Sequence, residues 1–142
     1  MNEWIYDGKE VTSEMIGDAV GFVYCVTNLQ NNKKYIGQKR FFRKVSRPPL
    51  KGNKRKRVSY PESDWKKYCG SSENIKLLLE EHGLDIFHRE ILHLCYTKGE
   101  LSYRESEEQF TRGVLLKQDE YYNGIINCRI NATHVKHMSI EK

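Results

Sequence analysis

The fold of this chain is decided by residues 20–37, which read VGFVYCVTNLQNNKKYIG. Residues 20–27 are mostly β-branched or aromatic, which is typical of a strand. Asn31 and Asn32 lie in the middle of the polar stretch that follows, and asparagine tolerates the positive φ angles that turns require. Residues 34–37 then return as a second strand. The stretch therefore predicts a β-hairpin with a fairly long loop.

Downstream of the hairpin and a basic segment, the pattern changes to a helix and then a strand. Ser71 or Ser72 can cap a helix that includes residues 74–81, and Gly83 can end it. Residues 86–95, IFHREILHLC, have the composition and partial alternation of a third strand.

A second helix is predicted to begin near Gly99, behind a Thr97 cap. Four of its residues recur at near-helical spacing: Leu101, Glu105, Glu108 and Arg112. The order strand, turn, strand, basic loop, helix, strand, helix predicts a single α/β (α+β) domain over residues 1–142. Its expected architecture is a small three-stranded antiparallel sheet flanked by helices.

The two ends of the chain carry weaker signals. Residues 1–16 have no clear period and are expected to form a short helix or an arm. The tail after Asn123 is ambiguous, and we expect it to fray from His134 onward. No secretory signal opens the sequence, and no apolar run is long enough to span a bilayer. We therefore expect a cytoplasmic protein without a membrane partner.

The composition is that of a highly charged globular protein. Of its 142 residues, 38% are hydrophobic and 30% are charged. The four cysteines are widely separated and include no C-x-x-C pair: Cys25, Cys69, Cys95 and Cys128. A chain large enough to build a core has little need of a disulfide scaffold, and a zinc knuckle lacks its paired ligands here. We predict reduced thiols, which usually behave as small buried hydrophobic groups.

Positive charge is concentrated in residues 33–67, where fourteen Lys or Arg residues accompany two acids and the net charge is +12. The rest of the chain has ten bases and seventeen acids, and therefore carries −7. A phosphate backbone favours such a separation, because each neutralised phosphate releases condensed counterions. We predict DNA as the partner. The alternatives are RNA, which offers the same phosphates, and a solvated basic loop without a partner.

Within this region, residues 43–60 contain two adjacent prolines and a run of four cations, which argue against a packed element. We expect an exposed basic loop, as an insertion at about residues 43–64. The predicted DNA-binding residues are Lys39, Arg40, Arg43, Lys44, Arg47, Lys54, Arg55, Lys56 and Arg57. Beyond the loop, Trp65 and Tyr68 could stack on bases, although core packing is the favoured role for the tryptophan.

Two short motifs resemble those of a known nuclease family. Residues 20–24, VGFVY, and residues 35–37, YIG, are similar to the two half-motifs of the GIY-YIG endonucleases. The paired serines ahead of the first helix, and the His-Gly pair that ends it, resemble that family's second helix. Residues 87–94 resemble its third strand. The resemblance covers about residues 20–127 and implies a metal-dependent DNA endonuclease.

The resemblance also implies roles for residues of the hairpin. Tyr24 would be the general base, assisted by Tyr35. Lys39 would lie close enough to favour the ionised phenol and so lower the pKa of Tyr24. Gly37 and Asn123 would have structural roles.

Cleavage of a phosphodiester needs an activated water, a cation near the phosphate oxygens and a stabilised leaving group. A carboxylate on a rigid helix can bind Mg²⁺ or Mn²⁺. The resemblance assigns this role to Glu105, with Glu107 and Glu108 as less favoured candidates. It also implies an arginine that binds the phosphate, on a helix soon after YIG. Because two prolines interrupt that region here, Arg43 and Arg57 both remain candidates.

We therefore predict a metal-dependent DNA endonuclease. The resemblance leaves three settings open, a homing or other mobile-element nuclease, a restriction enzyme or a repair nuclease, and compact size favours the first, in a bacterial or phage-infected cell. The alternative is a non-catalytic nucleic-acid-binding protein that retains the scaffold, in which the tyrosines simply pack and Glu105 lies on a solvated helix face. His88 and His93 are expected to be packed or surface residues rather than metal ligands. Convergence of Tyr24, Tyr35, Glu105 and an arginine on one concave surface would favour the enzyme.

Overall fold

The computed structural model describes residues 3–138, which form a sheet, a separate two-stranded ribbon and several helices. The strands are β1 (Ile5–Tyr6), β2 (Lys9–Glu10), β3 (Gly21–Asn28), β4 (Lys33–Arg40), β5 (Val45–Arg47), β6 (Arg57–Ser59) and β7 (Phe87–Cys95). The α-helices are α1 (Ser13–Ile16), α2 (Glu73–His82), α3 (Lys98–Arg112) and α4 (Ala132–Val135). Within the described residues, no helix combines the length and apolar character needed to cross a membrane.

The sheet built by the described residues has five strands, in the order β2-β1-β7-β3-β4. β3 pairs antiparallel with both β4 and β7, which confirms the predicted hairpin and third strand. The prediction of three strands was wrong, because the N-terminal segment adds two more. β1 pairs parallel with β7, and β2 pairs with β1. A tight turn through Asp7 and Gly8, both at positive φ, joins β1 to β2. Strands of two residues are too short to show an alternation in sequence.

Alternate residues of β3 point to opposite faces of the sheet and supply two cores. Phe22 and Tyr24 face an aromatic core that α2 covers, whereas Val23 and Cys25 face a core that α3 covers. The first core also contains Trp4, Val26, Phe41, Trp65, Ile75, Phe87 and Ile91. The second also contains Ile36, Cys95, Leu101 and Val114. Trp65 is therefore packed in the core, which is the role that was favoured over base stacking.

Both long helices begin and end close to their predicted bounds. The Thr97 side chain accepts a hydrogen bond from the Glu100 N–H at 3.0 Å and so caps α3. Gly113 ends α3 in the left-handed conformation. Ser72 occupies the N-cap position of α2, and Gly83 follows its last turn.

The basic segment forms a short β-ribbon rather than the irregular loop that was expected. β5 and β6 pair antiparallel, with Arg47 opposite Arg57. The two prolines follow β5 and therefore do not interrupt the pairing, and the cationic side chains stay exposed, so the pairing buries no charge. The Arg57 Nε donates to the Pro48 carbonyl at 3.2 Å across the ribbon. We call residues 45–59 the basic ribbon.

All four cysteines are free thiols, as predicted, and Cys25, Cys69 and Cys95 are buried. Burial raises the pKa of Cys69 and of Cys95 from 9.0 to about 12. Below pH 9 these thiols keep their protons in both the folded and the unfolded chain. Between pH 9 and 12 the unfolded chain loses protons that the folded chain retains, so stability must fall as the pH rises.

Urea unfolding under reducing conditions at about pH 8 and pH 10 measures this effect. We expect the free energy of unfolding to be lower at pH 10 for the wild type, and the decrease to be smaller for Cys69→Ala. An equal decrease in both proteins would contradict the assignment to this thiol.

Candidate active site

Tyr24 reaches the edge of the sheet because its neighbour on the edge strand is a glycine. Tyr24 on β3 is paired with Gly37 on β4. A Cβ atom at residue 37 would lie 2.5 Å from the Tyr24 Oη and 2.8 Å from its Cζ, which is closer than van der Waals contact allows. The phenol ring therefore lies across the backbone of β4, with its hydroxyl group against Gly37, and Tyr24 as a whole is buried.

Gly37→Ala is expected to lower the free energy of unfolding by about 1–3 kcal/mol, because the added methyl group must push the Tyr24 ring aside. Gly124→Ala is a matched control, since a Cβ atom there would meet nothing within 4 Å. Chemical denaturation of both variants measures the difference. A Gly37→Ala protein as stable as the Gly124→Ala protein would contradict this account of the contact.

Two further tyrosines surround Tyr24. The ring centroid of Tyr35 lies 6.2 Å from that of Tyr24, and the ring centroid of Tyr68 lies 5.9 Å from it. The Tyr35 hydroxyl is hydrogen-bonded to the Ser71 Oγ at 2.8 Å. This contact ties the edge strand to the residues that precede α2.

The prediction that the pKa of Tyr24 is lowered is wrong. Burial, followed by the charges of neighbouring groups, raises the pKa of Tyr24 well above its ordinary value near 10. Lys39 was expected to favour the ionised phenol, but its Nζ forms an ion pair with Asp64 at 2.6 Å. The same ammonium lies 4.1 Å from the centre of the Tyr68 ring. Tyr24 is therefore a protonated hydrogen-bonding group at neutral pH.

Glu105 approaches the edge of β4 from α3, on the other side of the sheet. The Gln38 Nε2 donates a hydrogen bond to the Glu105 Oε1 at 3.1 Å. Burial raises the pKa of Glu105, and the hydrogen bond from Gln38 opposes this only in part. Among residues 3–138, Glu105 has no ion pair with a cation, and its amide partner is neutral.

The two neighbouring glutamates differ from Glu105 in this respect. Glu107 forms an ion pair with Arg104 at 2.8 Å. Glu108 accepts from Arg112 at 3.1 Å and lies 3.1 Å from a ring nitrogen of His93; these contacts hold the pKa of Glu108 below its ordinary value despite burial. Glu105 is therefore the member of this group whose charge is not balanced by a protein cation.

Tyr24, Tyr35, Gly37 and Glu105 all line one pocket of about 710 Å³ at the edge of β4. Its other lining residues are Gln38, Ser71, Ser102, Gln109, Ile125, Asn127, Cys128 and Arg129. Residues from both faces of the sheet thus meet at one concave surface, because the pocket lies where the sheet ends.

The cations named from the sequence lie elsewhere. Lys39, Arg43 and Arg57 are not among the lining residues of this pocket. The other predicted DNA-binding residues are exposed on the end of β4, the basic ribbon and the link between them: Arg40, Lys44, Arg47, Lys54, Arg55 and Lys56. The pocket instead contains Arg129, which the sequence reasoning missed. Arg129 belongs to a non-periodic tail segment that carries no recognisable signal.

The edge of β4 is capped by a side chain. The Asn123 Nδ2 donates to the Ile36 carbonyl at 2.8 Å, and the Asn123 Oδ1 accepts from the Ile36 N–H at 2.9 Å. The Gln109 Nε2 on α3 donates to the same carbonyl at 3.1 Å. Asn123 therefore satisfies the edge backbone at Ile36, and the next residue, Gly37, lines the pocket.

Two side chains of the pocket could contribute oxygen ligands to a divalent cation. Glu105 supplies a half-buried carboxylate without a cationic partner, and the buried Gln109 Oε1 has no hydrogen-bond partner among the described residues. Carboxylate, amide and hydroxyl oxygens are the ligands that Mg²⁺ and Mn²⁺ prefer. No group of three His, Cys, Asp or Glu within residues 3–138 could hold a metal ion. A cation bound here would therefore keep several of its water ligands.

Comparison with known proteins identifies the family. A family model described as "Putative endonuclease segE, GIY-YIG domain" matches residues 4–126, which is most of the chain. Searches of curated proteins and of solved structures returned no match. The matched range contains the hairpin, Glu105 and Asn123, and it also includes the N-terminal strands that the sequence motifs did not reveal. The chain belongs to the GIY-YIG endonuclease family.

Proposed function

We propose that this chain is a metal-dependent DNA endonuclease that hydrolyses phosphodiester bonds in the pocket beside β4. The proposal depends on one observation: Tyr24, Tyr35 and Glu105, from three separate elements, line the same pocket. Membership of an endonuclease family supports nuclease activity and DNA as the substrate. We further propose a homing or other mobile-element role, by analogy with compact nucleases.

Glu105 would bind Mg²⁺ or Mn²⁺, with Gln38 holding the carboxylate in position. When bound, the cation would withdraw charge from the phosphate oxygens and make a coordinated water more acidic. A cation beside Glu105 would also offset the burial that raises the pKa of this carboxyl group.

Tyr24 would act through its hydroxyl as a hydrogen-bonding group that orients the attacking water or the phosphate. Its raised pKa keeps the proton in place at neutral pH, so it donates one hydrogen bond and accepts another. Tyr35 would contribute in the same way, with its hydroxyl held by Ser71. Because Gly37 has no side chain, the Tyr24 hydroxyl can lie against the backbone of β4 and line the pocket beside Tyr35.

The basic ribbon would bind DNA outside the pocket. Its cations are exposed, and a two-stranded antiparallel ribbon is narrow enough for the major groove of B-DNA. Ribbon contacts with phosphates would hold the duplex in place while the pocket acts on one bond.

Replacing the four cations of residues 54–57 with alanine is expected to weaken DNA binding. It should also make the binding constant less dependent on salt concentration. Each phosphate contact adds about 0.9 to the slope of log K against log salt concentration. The slope should therefore decrease by about 2 to 4 if most of these side chains contact phosphates. Fluorescence anisotropy with a labelled duplex at several salt concentrations measures it.

A control with the same change in net charge replaces four exposed lysines outside the ribbon: Lys9, Lys76, Lys117 and Lys136. An equal decrease of the slope in both variants would show that the ribbon has no special part in binding.

Cleavage of supercoiled plasmid, with Mg²⁺ or Mn²⁺ and with EDTA, tests the proposed function. We expect nicked or linear DNA with the metals and none with EDTA, while DNA binding persists. Tyr24→Phe removes only a hydroxyl group and should slow cleavage without weakening binding. Salt-sensitive binding without cleavage in either metal would instead identify a non-catalytic nucleic-acid-binding protein.

A further inference from the structure

An extended segment after Asn123 forms part of the wall of the pocket. Residues 124–131 have no regular secondary structure, and they contribute four residues to the lining, Arg129 among them. The family match ends at residue 126, so Arg129 lies outside the matched range. Arg129 is therefore not one of the residues by which the family model recognises this chain.

The segment is anchored at both ends. Before it, the Asn123 side chain forms two hydrogen bonds with the backbone of Ile36. After it, α4 packs so closely on the start of α3 that a Cβ atom at Gly99 would lie 2.7 Å from the His134 Cβ. Arg129 therefore extends from a segment that is tied to the domain on either side.

Arg129 supplies the positive charge that the rest of the pocket lacks. Among the described lining residues it is the one Lys or Arg, and Glu105 is the one Asp or Glu. None of the ion pairs between described residues includes Arg129. By contrast, the Nε of Arg57 is bound to the backbone of the ribbon, away from the pocket.

We propose that Arg129 binds the phosphate at which the DNA strand is cut. Arg129 lies in the wall of the pocket that contains Glu105 and the two tyrosines. This inference rests on the proposed nuclease function and adds a catalytic residue to it. A guanidinium group can donate to two phosphate oxygens at once. Charge on those oxygens changes as the bond breaks, and a fixed donor stabilises the transition state more than the bound substrate. Arg129 should therefore affect the rate of cleavage more than the affinity for DNA.

Variants at residue 129 test this assignment. Arg129→Ala is expected to lower the single-turnover rate of plasmid cleavage by about 10²–10³-fold, which is the usual cost of removing one such donor. The dissociation constant for a labelled duplex in EDTA should change by less than about threefold. Arg129→Lys should restore part of the rate, because an ammonium group keeps the charge but not the paired donors. Lys136→Ala, an exposed cation of the same tail, is the control.

An Arg129→Ala protein that cleaves as fast as the Lys136→Ala protein would overturn the proposal. So would a loss of rate that is fully explained by weaker DNA binding, since that is the behaviour of an ordinary backbone contact.

A second measurement separates this inference from the proposed function. Arginine Nε–H resonances can be followed by NMR during titration with a phosphorylated dinucleotide, and the signal missing from Arg129→Lys identifies Arg129. A shift of that signal, absent in titrations with the matching dinucleoside methylphosphonate, whose linkage is uncharged, supports phosphate binding even in a protein that does not cut DNA. No shift at saturating dinucleotide would overturn the assignment, whatever the plasmid assay shows.

Discussion

Replacing Glu105 with glutamine is expected to lower the single-turnover rate of DNA cleavage by about 10³-fold. Glutamine preserves the size of the side chain and can still contact Gln38, but it removes the negative charge that a divalent cation needs. Because Glu105 has no ion pair with a protein cation in the described structure, this change leaves no opposite charge uncompensated. The folded protein should therefore be at least as stable as the wild type, and the effect should be confined to the chemistry.

Glu107→Gln is the matched control, because Glu107 lies two residues along the same helix and its charge is already balanced by Arg104. Its cleavage rate should stay within about threefold of the wild type, because a partly exposed ion pair contributes little energy. Binding of Mn²⁺, followed by electron paramagnetic resonance, should be lost in Glu105→Gln and retained in Glu107→Gln. Wild-type Mn²⁺ binding in Glu105→Gln would contradict the assignment of the metal ligand.

Arg89→Met is expected to lower the free energy of unfolding by about 3–5 kcal/mol. Arg89 on β7 is 1% exposed, and its Nη1 donates to the carbonyls of Lys66 and Tyr68 at 2.9 and 2.8 Å. Its guanidinium also lies 4.7 Å from the centre of the Trp4 ring. Methionine fills much of the space but leaves two carbonyls without these donors, and each such loss costs about 1–3 kcal/mol.

The expected loss is a large part of the stability of a domain of this size, so urea denaturation should detect it easily. His88→Ala, at the exposed neighbouring position of β7, is the control and should change stability by less than about 0.5 kcal/mol. Because Arg89 holds the Tyr68 backbone and Tyr68 contacts Tyr24, any folded Arg89→Met protein should also cleave DNA more slowly. A change in stability below about 1 kcal/mol would show that the surrounding structure can replace these hydrogen bonds.

The parts of the fold that could be predicted are those with a repeating local pattern. The β3–β4 hairpin, α2, β7 and α3 each have a run of apolar residues or clear capping residues, and each was found close to its predicted place. β1 and β2 could not be predicted, because two residues show no alternation and β1 depends on pairing with β7, more than eighty residues away. The basic ribbon was missed because a run of like charges argues against a packed element, whereas here the side chains are exposed and solvent screens their repulsion.

The residues of the candidate site that lie in motifs of recognisable spacing could be predicted from the sequence. Properties that depend on neighbours in the folded structure could not. Tyr24, Tyr35 and Glu105 were named from the sequence, and the structure brings them to one pocket. The raised pKa of Tyr24 results first from burial of the phenol in the folded protein, which motif spacing does not reveal. The Lys39 that was expected to act on the phenol is instead paired with Asp64. Arg129 reaches the pocket through the path of an irregular segment, and no local pattern encodes such a path.

The parallel pairing of β1 with β7 also has a consequence for the order in which the protein can be completed during synthesis. Trp4 and its neighbouring strand leave the ribosome before β7, which becomes available only after residue 95 has been made. The Trp4 indole N–H donates to the carbonyl of Trp65, which also comes much later. At translation rates of about 5–20 residues per second, Trp4 and β1 wait several seconds for these partners. Throughout that interval the large aromatic side chain of Trp4 lacks the core that buries it in the folded domain.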